Sequence, residues 1–459
     1  MSIQDTTLLR PTLHVEVAVS VLPTKADRAR KLRDELKAWF VNSHESVALG
    51  RAVLPKPDYD FPDVTLVDIA DYTGPPSGTG YHNVLELDLD LQVYVLQPPN
   101  LEDDNRRAIT QTTEPELPHF RILVLPNVAL KDEWSSLVFE DALPSRLLRY
   151  LVRMVAMMKQ QGLNLATFNW NRLCLLHGPP GSGKSTLCRA LAQKLSIRLG
   201  RTFTKSVLIE VNTNGMLSKY FGESGKLITS TFDNICSTAA DSHTLVCVVM
   251  DEIETIAGRR ERSTTGGECT DGLRATNQLL TALDRVRHLP NVLILCTSNL
   301  VTEIDQAFLD RVDIKQHIPS PSPEAVYEIL RSCVNEMVRS HLIDTTPSSA
   351  SKKRTRASTA NSSPPPPDLV PVPSLSETHL YHLNSPTSPG ARMWSLAQRC
   401  RGFSGRTLRR LPILGLAMYT WGGHISLSDA VSALEAAIEQ ELKVKMTVEG
   451  KGEEVVVGE

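Results

Sequence analysis

Between His177 and Thr186 the chain reads His-Gly-Pro-Pro-Gly-Ser-Gly-Lys-Ser-Thr, which fits G-x-x-x-x-G-K-[ST] with the first glycine at 178 and the lysine at 184. These are the residue types that hold a triphosphate. Gly178, Gly181 and Gly183 let the backbone turn successive N–H groups toward phosphate oxygens, with Pro179, Pro180 and Ser182 completing the loop. Lys184 is expected to reach the β- and γ-phosphates and the Ser185 hydroxyl to sit on Mg²⁺, with Thr186 beside them in the first turn of a helix. ATP and Mg²⁺ are therefore the expected cofactors. The bland alternative is a chance glycine turn, and the strand before and helix after the loop weigh against it.

A second constellation lies downstream. Leu245 to Met250 is apolar and ends in Asp251-Glu252. Asp251 is expected to hold Mg²⁺ through water, and Glu252 to polarise the attacking water as a base. Such an acidic pair is often only solvated, but after this strand and a phosphate loop it reads as catalytic. The run from Asn291 ends in Asn299, whose amide suits orientation of the same water, although asparagine also ends strands as a turn residue. Arg311, within Phe308 to Asp313, offers a guanidinium that would stabilise transition-state charge in a neighbour's site. The alternative is an arginine paired with Asp310 or Asp313.

Placing these groups requires strands that end where the chemistry begins. Residues 172–176, 207–211, 245–250 and 291–299 read as buried strands, and 187–195 is apolar at helical spacing. Strands alternating with helices around a phosphate loop imply an α/β fold with a doubly wound parallel sheet. Residues 137–159 also look helical.

Ahead of this core, 13–20 reads as a strand and 25–40 as an amphipathic helix whose apolar face holds Leu32, Leu36, Trp39 and Phe40. Strands follow at 64–70 and 85–95. The second alternates strictly, and its acidic face reads as solvated or as a docking surface. This small α+β unit ends near 97 and shows no catalytic constellation; 98–119 reads as a linker.

Behind the core, 323–342 is helical. Residues 345–390 are then rich in Ser, Thr and Pro, with four consecutive prolines from Pro364 to Pro367. That composition buries too little apolar surface to offset ordering entropy, so disorder is expected. Its cluster Lys352 to Arg356 reads equally as a nuclear localisation signal or as solubilising charge. Helices at 393–400, 405–419 and 428–443 complete a small lid. The expected organisation is thus an N-terminal domain at 1–97, a large ATPase subdomain at 120–320, a lid at 321–445 interrupted by 345–390, and a tail at 446–459.

The 459 residues carry a net charge of -3 and a sequence pI near 6.5. No basic field advertises nucleic acid or anionic membrane. Eight cysteines lie scattered without a C-x-x-C pair, which suggests reduced thiols in a soluble intracellular protein.

The strings GPPGSGKS, VVMDEIETIAGRR, CTSN and AFLDRVDI, in this order, resemble an AAA+ ATPase module. Ser218 to Lys226, Ser135 to Asp141 and Gly402 to Pro412 are similar to the pachytene checkpoint protein 2 family, also called thyroid-receptor-interacting protein 13. The similarity spans about 120 to 445 apart from the insertion, while the N-terminal unit matches only in size and pattern. The resemblance implies a homo-hexameric ring, in the nucleus on meiotic chromosomes with the cytoplasm as a second location, that remodels HORMA-domain proteins with ATP, directly or through an adaptor, in meiotic and checkpoint control. It makes Lys184 and Ser185 nucleotide and Mg²⁺ residues, Asp251 and Glu252 the Walker B pair, and Asn299 sensor 1. It makes Arg311 a trans arginine finger and Arg406 the sensor 2 of the lid. Other AAA+ families carry two arginines near the finger; here Arg311 stands alone.

In such a ring, Lys219, Tyr220, Phe221 and Gly222 would face the central channel, where an aromatic grips an extended chain without reading its sequence. The alternative is a pair of core aromatics at a helix start. Residues 259–272 read as a second pore loop or as a mobile solvated one. Beside the remodeller stand a DNA-dependent, clamp-loader-like ATPase, a protease-coupled unfoldase and an ATP-gated scaffold. The mildly acidic charge disfavours the first of these, the lack of H-E-x-x-H makes any peptidase separate, and Glu252 disfavours the last.

Overall fold

The computed structural model of the chain describes residues 10–21, 26–50, 52–53, 61–74, 80–99, 120–158, 170–216, 223–258, 269–344, 372–382, 387–421 and 425–454. They fall into two compact units. One runs from the N-terminus through the parallel sheet; the other holds 138–141, the phosphate loop 178–184 and the chain from 317 on.

In the first unit, β1 (Thr12–Val19) is followed by helix α1 (Ala26–Ser43), then β2 (Ser46–Ala48), β3 (Ala52–Val53), β4 (Val64–Tyr72), β5 (Tyr81–Asn83) and β6 (Asp88–Tyr94). The sheet order is β3-β4-β1-β6, with β1 antiparallel to β4 and parallel to β6. Because side chains alternate along a strand, Leu13, Val15, Val17 and Val19 share a face, and they join Leu36 and Phe40 of α1 in one core. The other face carries His14 and Glu16. The strand expected at 85–95 opens instead with a 3-10 turn at Val84–Glu86, where Asn83 accepts from the Leu85 N–H at 3.1 Å.

The larger sheet contains β7 (Phe120–Leu125), then, after helix α2 (Leu143–Met158), β8 (Leu173–His177), α3 (Lys184–Arg198), β9 (Lys205–Val211), α4 (Glu223–Thr238), β10 (Thr244–Met250), α5 (Cys269–Val286), β11 (Val292–Ser298) and β12 (Ile314–His317). Its order is β12-β8-β11-β10-β9-β7. The pairs β8/β11, β11/β10 and β10/β9 are parallel, and β7 runs antiparallel to β9. Every residue of β10 and β11 is buried, as expected of strands covered on both faces. Helix α2 starts at 143 rather than 137 because Pro144 belongs in a first turn, where its missing N–H costs nothing.

Helix α3 is buried nearly all round; Leu187, Leu191 and Leu195 are inaccessible, and Lys194 and Arg198 are buried too. The acidic face of the strand expected at 85–95 is exposed at Glu86 and Asp88 and half-buried at Asp90, while Glu16 of β1 is buried beside α3. Arg198 and Lys194 reach Glu16, at 3.3 and 2.5 Å. Arg201 reaches Asp90 at 3.1 Å. The acids face basic groups of the ATPase core, whose charge offsets the loss of water.

In the second unit, α6 (Pro323–Arg339), α7 (Pro389–Arg399), α8 (Gly405–Tyr419) and α9 (Leu427–Glu454) share an apolar core. The insertion expected to be disordered through 390 ends sooner. Val372 is fully buried in that core, Ser374 and Glu377 form a capping box, and the Tyr327 hydroxyl donates to the Pro373 carbonyl at 2.9 Å. One buried valine in polar text has no periodicity to announce it. Among the described residues no helix is long and apolar enough to cross a membrane.

Candidate nucleotide site

The phosphate loop turns through left-handed backbone, with φ +147° at Gly178 and +72° at Gly181. Space excludes a side chain there as firmly as conformation does. A Cβ at 178 would stand 2.1 Å from the Ile318 carbonyl oxygen, and one at 181 would stand 2.7 Å from Ser404 Cβ. The Lys184 ammonium donates to the carbonyls of Gly178 and Pro179, both at 2.8 Å, which holds it over the loop. Ser182 Oγ is buried without a hydrogen-bond partner, an orphan that a phosphate oxygen would satisfy.

The lid arginine belongs to the same unit. Ser404 caps α8 by accepting from the Thr407 N–H at 3.1 Å, and Arg406 follows in the first turn. Its Cβ lies 3.6 Å from the place a Gly181 Cβ would take, so the helix start is seated on the phosphate loop. Pro179 and Pro180 line a cleft of about 430 Å³ with Phe403, Ser404, Thr407 and Lys445.

In the sheet unit, the carboxyl ends of β10 and β11 lie side by side, the edge at which such sheets bind ligands. Ser185 Oγ donates to the Asp251 carboxylate, 2.8 and 2.9 Å from its two oxygens. The Thr297 hydroxyl donates to the same carboxylate and accepts the Glu252 N–H at 3.2 Å. Thr213 Oγ1 donates to the Asp251 carbonyl at 2.5 Å. Three hydroxyls thus fix the aspartate. Glu252 adopts φ +52°, ψ +51°, strained backbone for a residue other than glycine. Its carboxylate accepts from Asn214 Nδ2 at 3.3 Å. The Asn299 N–H donates to Glu254 at 2.9 Å, which sets the turn after β11.

Arg311 pairs with neither aspartate beside it in the sequence. Asp313 accepts the N–H groups of Asn171 and Leu173, at 3.3 and 3.1 Å, and Gln306 takes Asp310 at 2.8 Å. The Arg311 guanidinium instead grips Asp284 with two bonds of 3.0 and 2.8 Å and donates to the Ala307 carbonyl at 2.8 Å. Hydrogen bonding to Asp284 raises the arginine pKa, and the same bonds hold the Asp284 carboxyl below its ordinary value.

Ser185 and Asp251 supply a hydroxyl and a carboxylate, the hard oxygen donors that suit Mg²⁺ when phosphates and waters complete its shell. Among the described residues no group of three or more His, Cys, Asp or Glu stands together, and an ion held in this way needs none. Burial pushes the Cys174 and Cys247 thiols up to about 12, which keeps them unreactive. Lys219, Tyr220, Phe221 and Gly222 lie outside the described residues, as do 259–268.

Sequence reasoning missed Thr297, Asn214 and Asp284. Thr297 left a trace, a hydroxyl inside an otherwise apolar strand two residues before Asn299. Asn214 and Asp284 left none, because their partners are distant in the chain.

Residues 174–320 match the model of the ATPase family associated with various cellular activities (AAA). Residues 322–442 match the TRIP13-like AAA+ ATPase lid C-terminal domain. The chain is 32% identical to a pachytene checkpoint protein 2 homolog of Danio rerio over 439 residues, 95% of each chain. The solved structure of C. elegans PCH-2 is similar with a TM-score of 0.69 at 25% identity, covering 94% of this chain and 99% of that one. A chain in the E. coli MS115-1 HORMA:CdnC:Trip13 complex shares the fold, with a TM-score of 0.50 at 16% identity over 71% of this chain and 97% of that one.

Proposed function

Because the chain belongs to the pachytene checkpoint protein 2 family of AAA+ ATPases, we propose that it uses ATP hydrolysis to change the conformation of HORMA-domain proteins. The observation that carries hydrolysis over mere nucleotide-gated scaffolding is Glu252, in place at the end of β10 with its backbone tied to Thr297 and its carboxylate to Asn214. HORMA-domain substrates are supported by the family and by a fold neighbour that comes from a complex containing a HORMA protein.

Each residue then has a task. The N–H groups of the loop from Gly178 to Gly183 cradle the phosphates, and Lys184 neutralises the β- and γ-oxygens. Ser185 and Asp251 hold Mg²⁺. When bound, the ion offsets charge on the transferring phosphoryl group. Glu252 takes a proton from the attacking water and Asn299 orients that water. Arg406 of the lid reads the nucleotide. In a ring of six copies, Arg311 leaves Asp284 to reach the neighbour's γ-phosphate. Tyr220, with Lys219, Phe221 and Gly222, grips the substrate chain in the channel, with or without an adaptor. We place this work in the nucleus, on meiotic chromosomes and in the checkpoints that monitor them, on the strength of the family resemblance.

The test is phosphate release by the purified chain, with and without a HORMA-domain protein, for wild type and Tyr220→Ala. Stimulation in wild type that disappears in the variant, while nucleotide binding persists, is expected. Stimulation by DNA in place of a folded protein would overturn the reading.

A further inference from the structure

Helix α3 bears Lys184 and Ser185 in its first turn, and its last turns bear Lys194 and Arg198, four residues apart on one face. That face lies against the N-terminal sheet. Glu16 of β1 and Asp68 of β4 stand directly opposite each other in paired strands, where like charges repel. Glu16 is only 1% exposed. The pair is tolerable because Lys194 Nζ sits 2.5 Å from Glu16 and 3.6 Å from Asp68, over the ring of Trp134.

A bulge extends the arrangement. His14 pairs with Asp71 but Val15 with Ile69, so Ala70 is the extra residue. The shift turns Asp71 from the apolar face to the polar one. There Arg149 binds it with two bonds of 2.9 and 2.8 Å, and Arg198 approaches to 3.8 Å while also reaching Glu16 at 3.3 Å. Three acids and three bases balance.

Buried ions are a poor way to gain stability, since apolar groups of the same volume often do as well. What ion pairs supply is register. Each bond here limits how α3 can rotate or slide along the sheet, and binding sites lose affinity when supporting groups shift by about 0.5 Å. The geometry points to Glu16, through Lys194 and Arg198, as a positioning residue for nucleotide binding, so that nucleotide at the first turn of α3 tightens the N-terminal sheet and the sheet in turn sets nucleotide affinity. The reciprocity is thermodynamic. The inference rests on the nucleotide reading of Lys184 and Ser185.

Amide hydrogen exchange of the full chain, with and without saturating ADP, tests it. In wild type, ADP is expected to slow exchange at 178–186 and also, severalfold, in β1 and β4. The double variant Glu16→Leu/Lys194→Met, which replaces the central pair by apolar groups, is expected to keep protection at 178–186, lose the response in β1 and β4, and bind ADP roughly fivefold more weakly. Glu16→Gln alone preserves shape and should show the same losses in smaller degree. Protection at 178–186 without any in β1 and β4 of wild type overturns the coupling, and that arm decides even if a variant fails to fold. A folded double variant with wild-type ADP affinity and response overturns the role of Glu16. No protection at 178–186 sinks the nucleotide reading itself.

Discussion

The two sheets of the first unit solve burial in opposite ways. In the parallel sheet, β10 and β11 are inaccessible from end to end, and polar groups appear where the strands stop, at Asp251, Glu252 and Asn299. In the N-terminal sheet the charges lie within the strands, at Glu16, Asp68 and Asp71, and are completed by bases from other elements. The first arrangement frees its acids to do chemistry, because the fold does not lean on them. The second makes its acids part of the fold. Substitutions should therefore separate: those at strand ends cost hydrolysis without stability, those in the polar face cost stability and, through α3, some nucleotide affinity.

The largest effect belongs to Glu252. Glu252→Gln should lower ATP hydrolysis about 10²–10⁴-fold, with nucleotide binding and thermal midpoint unchanged. Glu252→Gly should abolish hydrolysis equally while raising stability by about 1 kcal/mol, since glycine accepts φ +52° without strain. Phosphate release and urea titration on the same preparations decide. If loss of activity came with loss of stability, the contrast between the sheets would collapse.

Lys194→Met attacks the other side. It strands Glu16 and Asp68 face to face, and removing one partner of a buried pair costs about 3–5 kcal/mol. Adding Glu16→Leu should recover part of that cost, because the most deeply buried acid is then gone while Arg198 keeps Asp71 at 3.8 Å. Urea midpoints of the full chain give both numbers. A lysine substitution as mild as a surface one would show that the polar face is wetter than its burial implies.

The same contrast explains what could be read in advance. The phosphate loop, Asp251-Glu252 and the run to Asn299 are local: each motif lies within about ten residues and sits at the end of an apolar strand whose burial the sequence declares. The strands at 172–176, 207–211, 245–250 and 291–299 were legible for that reason. β7 was not, because Phe120–Leu125 follows a polar stretch, and β12 is only four residues of mixed polarity. Glu16 lies in a strand whose sequence names no partner for it. Its partners Lys194 and Arg198 lie in a different fold element, and the bulge that turns Asp71 leaves no mark on composition. The Asp284 partner of Arg311 was hidden likewise, since two nearer aspartates offered themselves. Local chemistry is written locally; charge pairing across elements is not.

Arg149→Ala sharpens the comparison at lower amplitude. The arginine is about two-fifths exposed, whereas Asp71 is buried, so water replaces part of what is lost. A cost of about 1–2 kcal/mol is expected, less than for Lys194 because Arg198 remains near Asp71. Equal costs at 149 and 194 would mean that burial of the base does not matter.

The smallest effect is one of pH, and its sign tells the acids apart. Burial alone would raise the Asp90 pKa, but hydrogen bonds with His14 and Gln92, at 3.0 and 2.9 Å, and the Arg201 charge outweigh it and hold the carboxyl at about 2 against an ordinary 3.8. The folded chain therefore binds this proton less readily than the unfolded one. The stability that Asp90 contributes is complete above 3.8 and is lost as pH falls from there toward about 2. Asp68 goes the other way. Burial dominates and raises its pKa, so its contribution is present in acid and fades as pH rises through the folded value. Urea midpoints followed down through this range should fall less steeply in Asp90→Asn than in wild type, while Asp68→Asn should narrow its gap to wild type as pH rises above the carboxylate range. An Asp90→Asn profile parallel to wild type would place the acid sensitivity outside the polar face, and the N-terminal sheet would then resemble the parallel one more closely than its buried charges suggest.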